Sequence, residues 1–530
     1  MKKMRKLIAL TAAAAMTLAM SMTGLAATGD FKQTPDSTIE ATNVTSGDTV
    51  SYYKLVEWSA AAGDWALTGK GKMLTGSGDA FLAATDAEVL SALKDGITEA
   101  EAAKIAAKLA DASADGSMTE GSGKYTAEVV PGLYYLKATA GENNKATMYN
   151  PAFVSADYYE GGNSVDFSTA YAGSTVVKKS VVELEKEVNS TTDSYKDVKP
   201  GDSIPFKISA TIPAYGSAFT NPQFTIEDTL SEGLELDGDV TVKYGDATTT
   251  VTVENVVTIT KNGNNKFSVD FQKAYLTGLN GATPAVEITY NAKVTSTAPK
   301  NVNPMDNTAK LTFSNSPSQT SSQEVVTRHY TFSIDGSLLG STGESTKTTE
   351  LIKTGIDKDG NPITVESERV DYHGTKVSPL SGATFKLTGT GALTGVEKTA
   401  SSTADGRINF TGLDAGTYEL TETAAPAGYV LDPTVYTVTI TPTYDTNITD
   451  LLKSYTIEIK KKSDNSAVGS STFTMTNAGT VVKKTTASTD TDASTFLQNK
   501  TGAALPTTGG IGTTLFYVIG SILVIGAGLL

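Results

Sequence analysis

The chain has 530 residues, a formal net charge of −15, 39% hydrophobic residues, no cysteine and two histidines, His329 and His373. The acidic balance excludes the basic surface that nucleic acid requires, and the lack of cysteine excludes disulfide staples, so any covalent reinforcement needs other chemistry. Two histidines are a thin supply of metal ligands and near-neutral bases, and no set of nucleophile, base and orienter stands out, so the expectation is a non-enzyme without metal or cofactor.

In chain order, the first element is a secretory signal over residues 1–26. Lys2, Lys3, Arg5 and Lys6 form a positive start, Leu7 to Met20 an apolar run, and Gly24 to Ala27 a small-residue cleavage site. Its removal takes four positive charges and no acid, leaving −19. Residues 28–174 read as a mixed domain. Thr98 as N-cap, Glu101 three residues later, and Ile105, Ala106 and Leu109 on one face predict a helix over 98–112 packed on a sheet. Trp58 and Trp65 flank a strand and a turn and are assigned to the core.

Gly173-Ser174 closes that domain, and a strand-like run, TVVKKSVVELEKEV, opens a middle domain over 175–320. Within it FTIEDTL (224–230) and NTAKLTFSN (307–315) alternate with period two, the mark of half-buried strands. Ser314 to Ser322 (SNSPSQTSS) reads as a polar linker to a third domain over 321–500, where TVYTVTITP (434–442) repeats the alternation. There DKDGN (357–361) lacks EF-hand spacing and reads as a turn, and the lysines at 460–462 as charges on an edge strand. The predicted fold is therefore mainly β, tandem immunoglobulin-like sandwiches behind a mixed N-terminal domain with one helix. From Ile511 to Leu530 there are 20 uncharged residues, the length of a transmembrane helix.

LPTTG (Leu505, Pro506, Thr507, Thr508, Gly509) directly precedes that segment. The arrangement resembles the cell-wall sorting signal of Gram-positive surface proteins. The resemblance implies cleavage by a sortase between Thr508 and Gly509, so that the span over 505–530 is temporary, although the chain stops at Leu530 without the basic tail common in that family. YELTETAAPAGYVL (418–431) resembles the E-box of collagen-adhesin B-type domains in sortase-assembled pilins, with Glu422 at the acid's position, and LSGATFKL (380–387) resembles a strand of the same domains.

That likeness implies intramolecular isopeptide bonds, each made by a lysine, an asparagine and a carboxylic acid. In the last domain the matching residues are Lys353, Glu422 and Asn499; in the middle domain VVELEKEVN, FTIEDTL and NPMDNTAKLTFSN supply Lys186, Asp228 and Asn307. The chemistry suits burial, which strips the proton from a lysine and keeps a carboxyl group protonated. The family's Tyr-Pro-Lys pattern for the polymerisation lysine is missing; AYAGSTVVKKS offers Lys178 and Lys179 in its place. The resemblance thus implies the major pilin of a covalent Gram-positive pilus: a secreted, wall-anchored shaft subunit. Its expected partners are sortase, further copies of itself, tip and basal pilins and peptidoglycan. A monomeric wall-anchored adhesin on an isopeptide stalk is the alternative.

Overall fold

The computed structural model describes residues 37–502, apart from residues 60, 161–162, 217–218, 301, 318, 335–350, 364–369, 373–374, 476–480 and 487–494. The signal over 1–26 and the sorting motif with the apolar segment to Leu530 lie outside the described residues.

The described chain is mostly strand, as its alternating runs require, and forms three units in sequence. In the N-terminal unit two sheets are built around the antiparallel pairs Ser37–Thr42 with Lys124–Val129 and Thr49–Ser59 with Gly132–Thr139. The helix Glu99–Lys108 begins at Thr98, whose hydroxyl accepts from the Glu101 amide while Glu101 returns the bond, and it buries Ala103, Ile105 and Ala106. A second helix with the same capping box, Asp86–Asp95 behind Thr85, was not anticipated. Trp65 is buried, and Trp58 stacks on Tyr158 at 4.1 Å.

The middle unit is a sandwich of two five-stranded sheets. One carries Leu184–Val188 beside Ser203–Thr211 and Ala285–Val294; the other places Phe224–Leu230 next to Met305–Ser316. Between them lies a core that includes Phe206, Ile226, Phe267, Ile288 and Leu311. The last unit is a seven-stranded sheet with a separate parallel pair, Leu351–Ile356 against Thr495–Lys500.

Three expectations need correction. The N-terminal unit does not end at 174, because Ser174–Val176 pairs with Ser37–Thr42 and Lys179–Val181 with Thr147–Tyr149. The polar stretch 314–322 is no linker but the tip of a long hairpin, Met305–Ser316 against Gln319–His329, whose Ser321 hydroxyl donates to the Lys145 carbonyl at 2.9 Å. Nor do the lysines at 460–462 mark a sheet edge: Leu452–Lys461 is paired on both sides, and Lys462 instead meets Glu419.

The middle and last units meet through a small polar junction. Tyr444 donates to Asp197 at 3.1 Å, and Lys199 stands 2.7 Å from Asp202 and 3.8 Å from Asp414. Burial, reinforced by the neighbouring Asp197 carboxylate, lifts Asp414 to about 7. An acid whose folded pKa lies above its unfolded value adds stability that is complete below the unfolded pKa and is lost as pH rises through the folded one. Acidification from pH 8 to 5 should therefore raise the melting temperature of the last unit by roughly 5–10 °C, the response to about 2.7 kcal/mol. Asp414→Asn should flatten that dependence, and calorimetry at the two pH values measures both.

Candidate functional site

The period-two alternation that builds the middle sandwich also builds its polar cluster. On Phe224–Leu230 the inward residues are Phe224, Ile226, Asp228 and Leu230; on Met305–Ser316 they include Met305, Asn307, Ala309 and Leu311. Register sets Leu230 opposite Asn307 and Asp228 opposite Ala309, so the acid and the amide are neighbours on one sheet. Lys186 comes from the facing sheet, where it pairs with Ile208, and its side chain, like that of Asp228, has no solvent exposure.

The amine is bonded to Asp228, donates to Asn307 Oδ1 at 2.6 Å and lies 2.8 Å from the Tyr290 hydroxyl. Burial pulls Lys186 down to about 8 against the opposing pull of Asp228, and burial pushes Asp228 up. Both shifts favour a neutral amine beside a neutral acid, the state in which the amine can attack a carbonyl carbon. His329 is also buried; its Nδ1 meets the Tyr195 carbonyl at 2.6 Å, and burial holds it down at about 4, so it stays neutral.

The last unit repeats the theme on different strands. Lys353 lies in Leu351–Ile356, whose parallel partner Thr495–Lys500 brings Asn499 opposite Gly355. A Cβ at that glycine would stand 2.7 Å from the Tyr429 ring, so a larger residue there would have to displace the ring. Glu422 follows Tyr418 and Leu420 on the inward side of Gly416–Ala424. Lys353 Nζ is 3.1 Å from Glu422 Oε1, and Asn499 Nδ2 donates to Glu422 Oε2 at 2.6 Å and to the Val430 carbonyl at 2.7 Å. Burial lowers the Lys353 pKa against the pull of Glu422. Lys353 and Glu422 thus form a buried charge pair, while Asn499 Oδ1 is buried without a hydrogen-bond partner among the described residues. An unpartnered atom of that kind costs about 1–3 kcal/mol.

Lys178 and Lys179 belong to neither cluster. Lys178 sits between two short strands with its side chain 76% exposed and its amine 3.8 Å from Glu99. Lys179 is half-buried and donates to Thr45 Oγ1 at 3.0 Å. The turn at 357–361 is closed by Asp357, whose side chain accepts from the Asp359 and Asn361 amides, and no group of acids or histidines among the described residues is arranged to hold a metal.

Comparison with known proteins agrees with this architecture. Residues 363–452, which include Glu422, match the SpaA prealbumin-like fold domain. The chain is 25% identical to the trypsin-resistant surface T6 protein of Streptococcus pyogenes serotype M6, over 96% of this chain and 97% of that one. The structure of the T6 backbone pilin of the same serotype, described as modular and three-domain, superposes with a TM-score of 0.55 at 19% identity, covering 89% of this chain and all of the other. The fold is that of a backbone pilin. The full-length major pilin SpaD of Corynebacterium diphtheriae overlaps more loosely, with a TM-score of 0.43 at 19% identity over 75% of this chain and 89% of that one.

One residue of the middle cluster escaped the sequence reading. Tyr290 contacts all three members of the middle cluster. Its only signal is an inward position in the alternating run AVEITYNAKV, where an aromatic residue reads as core.

Proposed function

We propose that this pilin fold serves as the structural subunit of a covalent cell-surface pilus shaft, strengthened by two internal Lys–Asn amide bonds and secreted and wall-anchored by a sortase that cleaves between Thr508 and Gly509. The observation that carries this is the repeated burial of a lysine, an acid and an asparagine within contact distance, each on a separate strand. Isolated buried charges cost far more than such a site recovers, so the arrangement suits a reaction rather than a resting ion pair.

In each site the neutral lysine amine attacks the asparagine carboxamide carbon, forming the C–N bond. The amine proton passes to the acid, the amide nitrogen receives one in return, and ammonia leaves. The reaction runs once per site, so the protein is not an enzyme in the sense of turnover.

Between subunits, the Thr508 acyl group held by sortase would be taken by the amine of another copy. Lys178 is the proposed acceptor because its amine is exposed, whereas that of Lys179 is bonded to Thr45. Tip and basal pilins and peptidoglycan would complete the assembly.

Intact mass of the processed chain, residues 28–504, tests the internal bonds. Each expelled ammonia removes about 17 Da, so the expected deficit is about 34 Da. A chain of full mass would sink the reading. The shaft itself is tested in cells carrying the cognate sortase: Lys178→Ala should abolish the ladder of covalent multimers and Lys179→Ala should leave it. A wild-type protein that forms no ladder would be an anchored adhesin instead.

A further inference from the structure

The two clusters differ in how the acid reaches the leaving nitrogen. In the last unit the contact is direct, Asn499 Nδ2 to Glu422 Oε2 at 2.6 Å. In the middle unit both Asp228 oxygens are otherwise engaged, Oδ2 by Lys186 and Oδ1 by the Tyr290 hydroxyl at 2.8 Å. Among the described residues the hydrogen-bond partner of Asn307 Nδ2 is the same Tyr290 hydroxyl, at 2.9 Å. That oxygen therefore touches the nucleophile, the acid and the leaving group. Its ring is held by stacking on Phe206 at 5.3 Å and by the edge contact with Phe267 at 4.9 Å, so the hydroxyl has little freedom to leave. Tyr290 is itself buried.

We propose that Tyr290 is a catalytic residue of the middle-unit crosslink, relaying a proton from Asp228 to the departing Asn307 nitrogen. The inference rests on the proposed amide bond between Lys186 and Asn307. Lys186 Nζ attacks Asn307 Cγ. As the C–N bond to Nδ2 breaks, the Tyr290 hydroxyl donates its proton to Nδ2 and takes the proton of the neutral Asp228, whose carboxylate then takes the proton shed by the attacking amine. Ammonia leaves, Asp228 and Tyr290 end as they began, and an amide links the two strands. Burial pushes the Tyr290 phenol well above its ordinary value, so it acts as a neutral relay and not as a phenolate.

The test follows both crosslinks in one molecule, by intact mass and by mapping the linked peptides after a pulse of cell-free synthesis of the processed chain. Wild type should gain both bonds. Tyr290→Phe keeps the ring packing and should slow the Lys186–Asn307 bond about 100-fold or more, the scale of a positioned proton donor. The Lys353–Asn499 bond should form in it at the wild-type rate, showing that the chain folds. A Tyr290→Phe chain that closes the middle bond as fast as wild type overturns the relay. A wild-type chain lacking the middle bond overturns the underlying reading instead. Placing 3-fluorotyrosine at 290 separates transfer from packing: a more acidic phenol of nearly the same shape should change the rate and its pH profile. An unchanged time course would leave Tyr290 a packing residue and overturn the proposal.

Discussion

Pulled from its two ends, the wild-type chain should release no length from the residues between Lys186 and Asn307, whereas Asn307→Ala should release roughly 400 Å in a single event, the extended reach of that segment. Lys186 lies on the first strand of the middle sandwich and Asn307 on one of its last, in opposite sheets 121 residues apart in sequence. Force entering before Lys186 and leaving after Asn307 would pass through the amide and bypass the ladder hydrogen bonds. Without the bond the same force loads strands held by interactions of about 1 kcal/mol each. The thermal effect points the same way: closing a loop of that length removes about 5 kcal/mol of unfolded-state entropy. Single-molecule extension of both chains decides the matter, and equal release from the two would mean that Lys186 and Asn307 are not joined.

How far the sequence discloses this depends on whether the information is local. The family resemblance singled out all six cluster residues, and for Asp228 and Asn307 the structure adds a local reason: each interrupts an apolar row of period two, which turns its side chain inward. Lys353 offers no such contrast, since Leu351–Ile356 is buried on both faces and its alternation is lost. The misread linker has a related cause. Ser, Pro and Gln suit a linker and a hairpin tip equally, and only pairing, Asn307 opposite Thr327, distinguishes them. The domain end at 174 fails because membership of a sheet is decided by residues more than a hundred positions away. Helix Asp86–Asp95 did carry a local signal, the Thr85 and Glu88 capping box, but it buries only Val89 and Leu93, a narrower apolar face than that of the equally long Glu99–Lys108. Tyr290 is the opposite case. Nothing near it in sequence separates a catalytic phenol from a core one, and its role emerges only where three strands converge.

The second large effect is expected at Glu422. Glu422→Gln preserves shape, and its amide oxygen can still accept from Asn499 Nδ2 and the Asp432 amide, the bonds that Glu422 Oε2 now accepts. What it loses is the proton acceptor and the negative charge beside Lys353. The crosslink should fail to form, which costs about 5 kcal/mol by the loop-closure argument. The unreacted lysine is then buried without a counter-charge, a further 3–5 kcal/mol on the scale of broken buried pairs. Together these approach the 5–15 kcal/mol that holds a typical domain folded, so the last unit should melt far below the other two. The variant should also acquire a rise of stability with pH that the wild type lacks, because an amide nitrogen does not titrate. Burial already lowers Lys353 from its ordinary 10.5 even with Glu422 opposing it, and removing that opposition lowers it further. With its folded pKa below its unfolded one, the unfolded chain binds more protons across the interval between them. Stability must therefore rise as pH climbs from the folded value toward 10.5. Calorimetry of Glu422→Gln should show the last unit melting higher at pH 9.5 than at pH 7, with no such rise in wild type, where the titration of Asp414 leaves only a slight fall over that window. If both chains respond alike, Lys353 titrates in wild type too, and the amide has not formed.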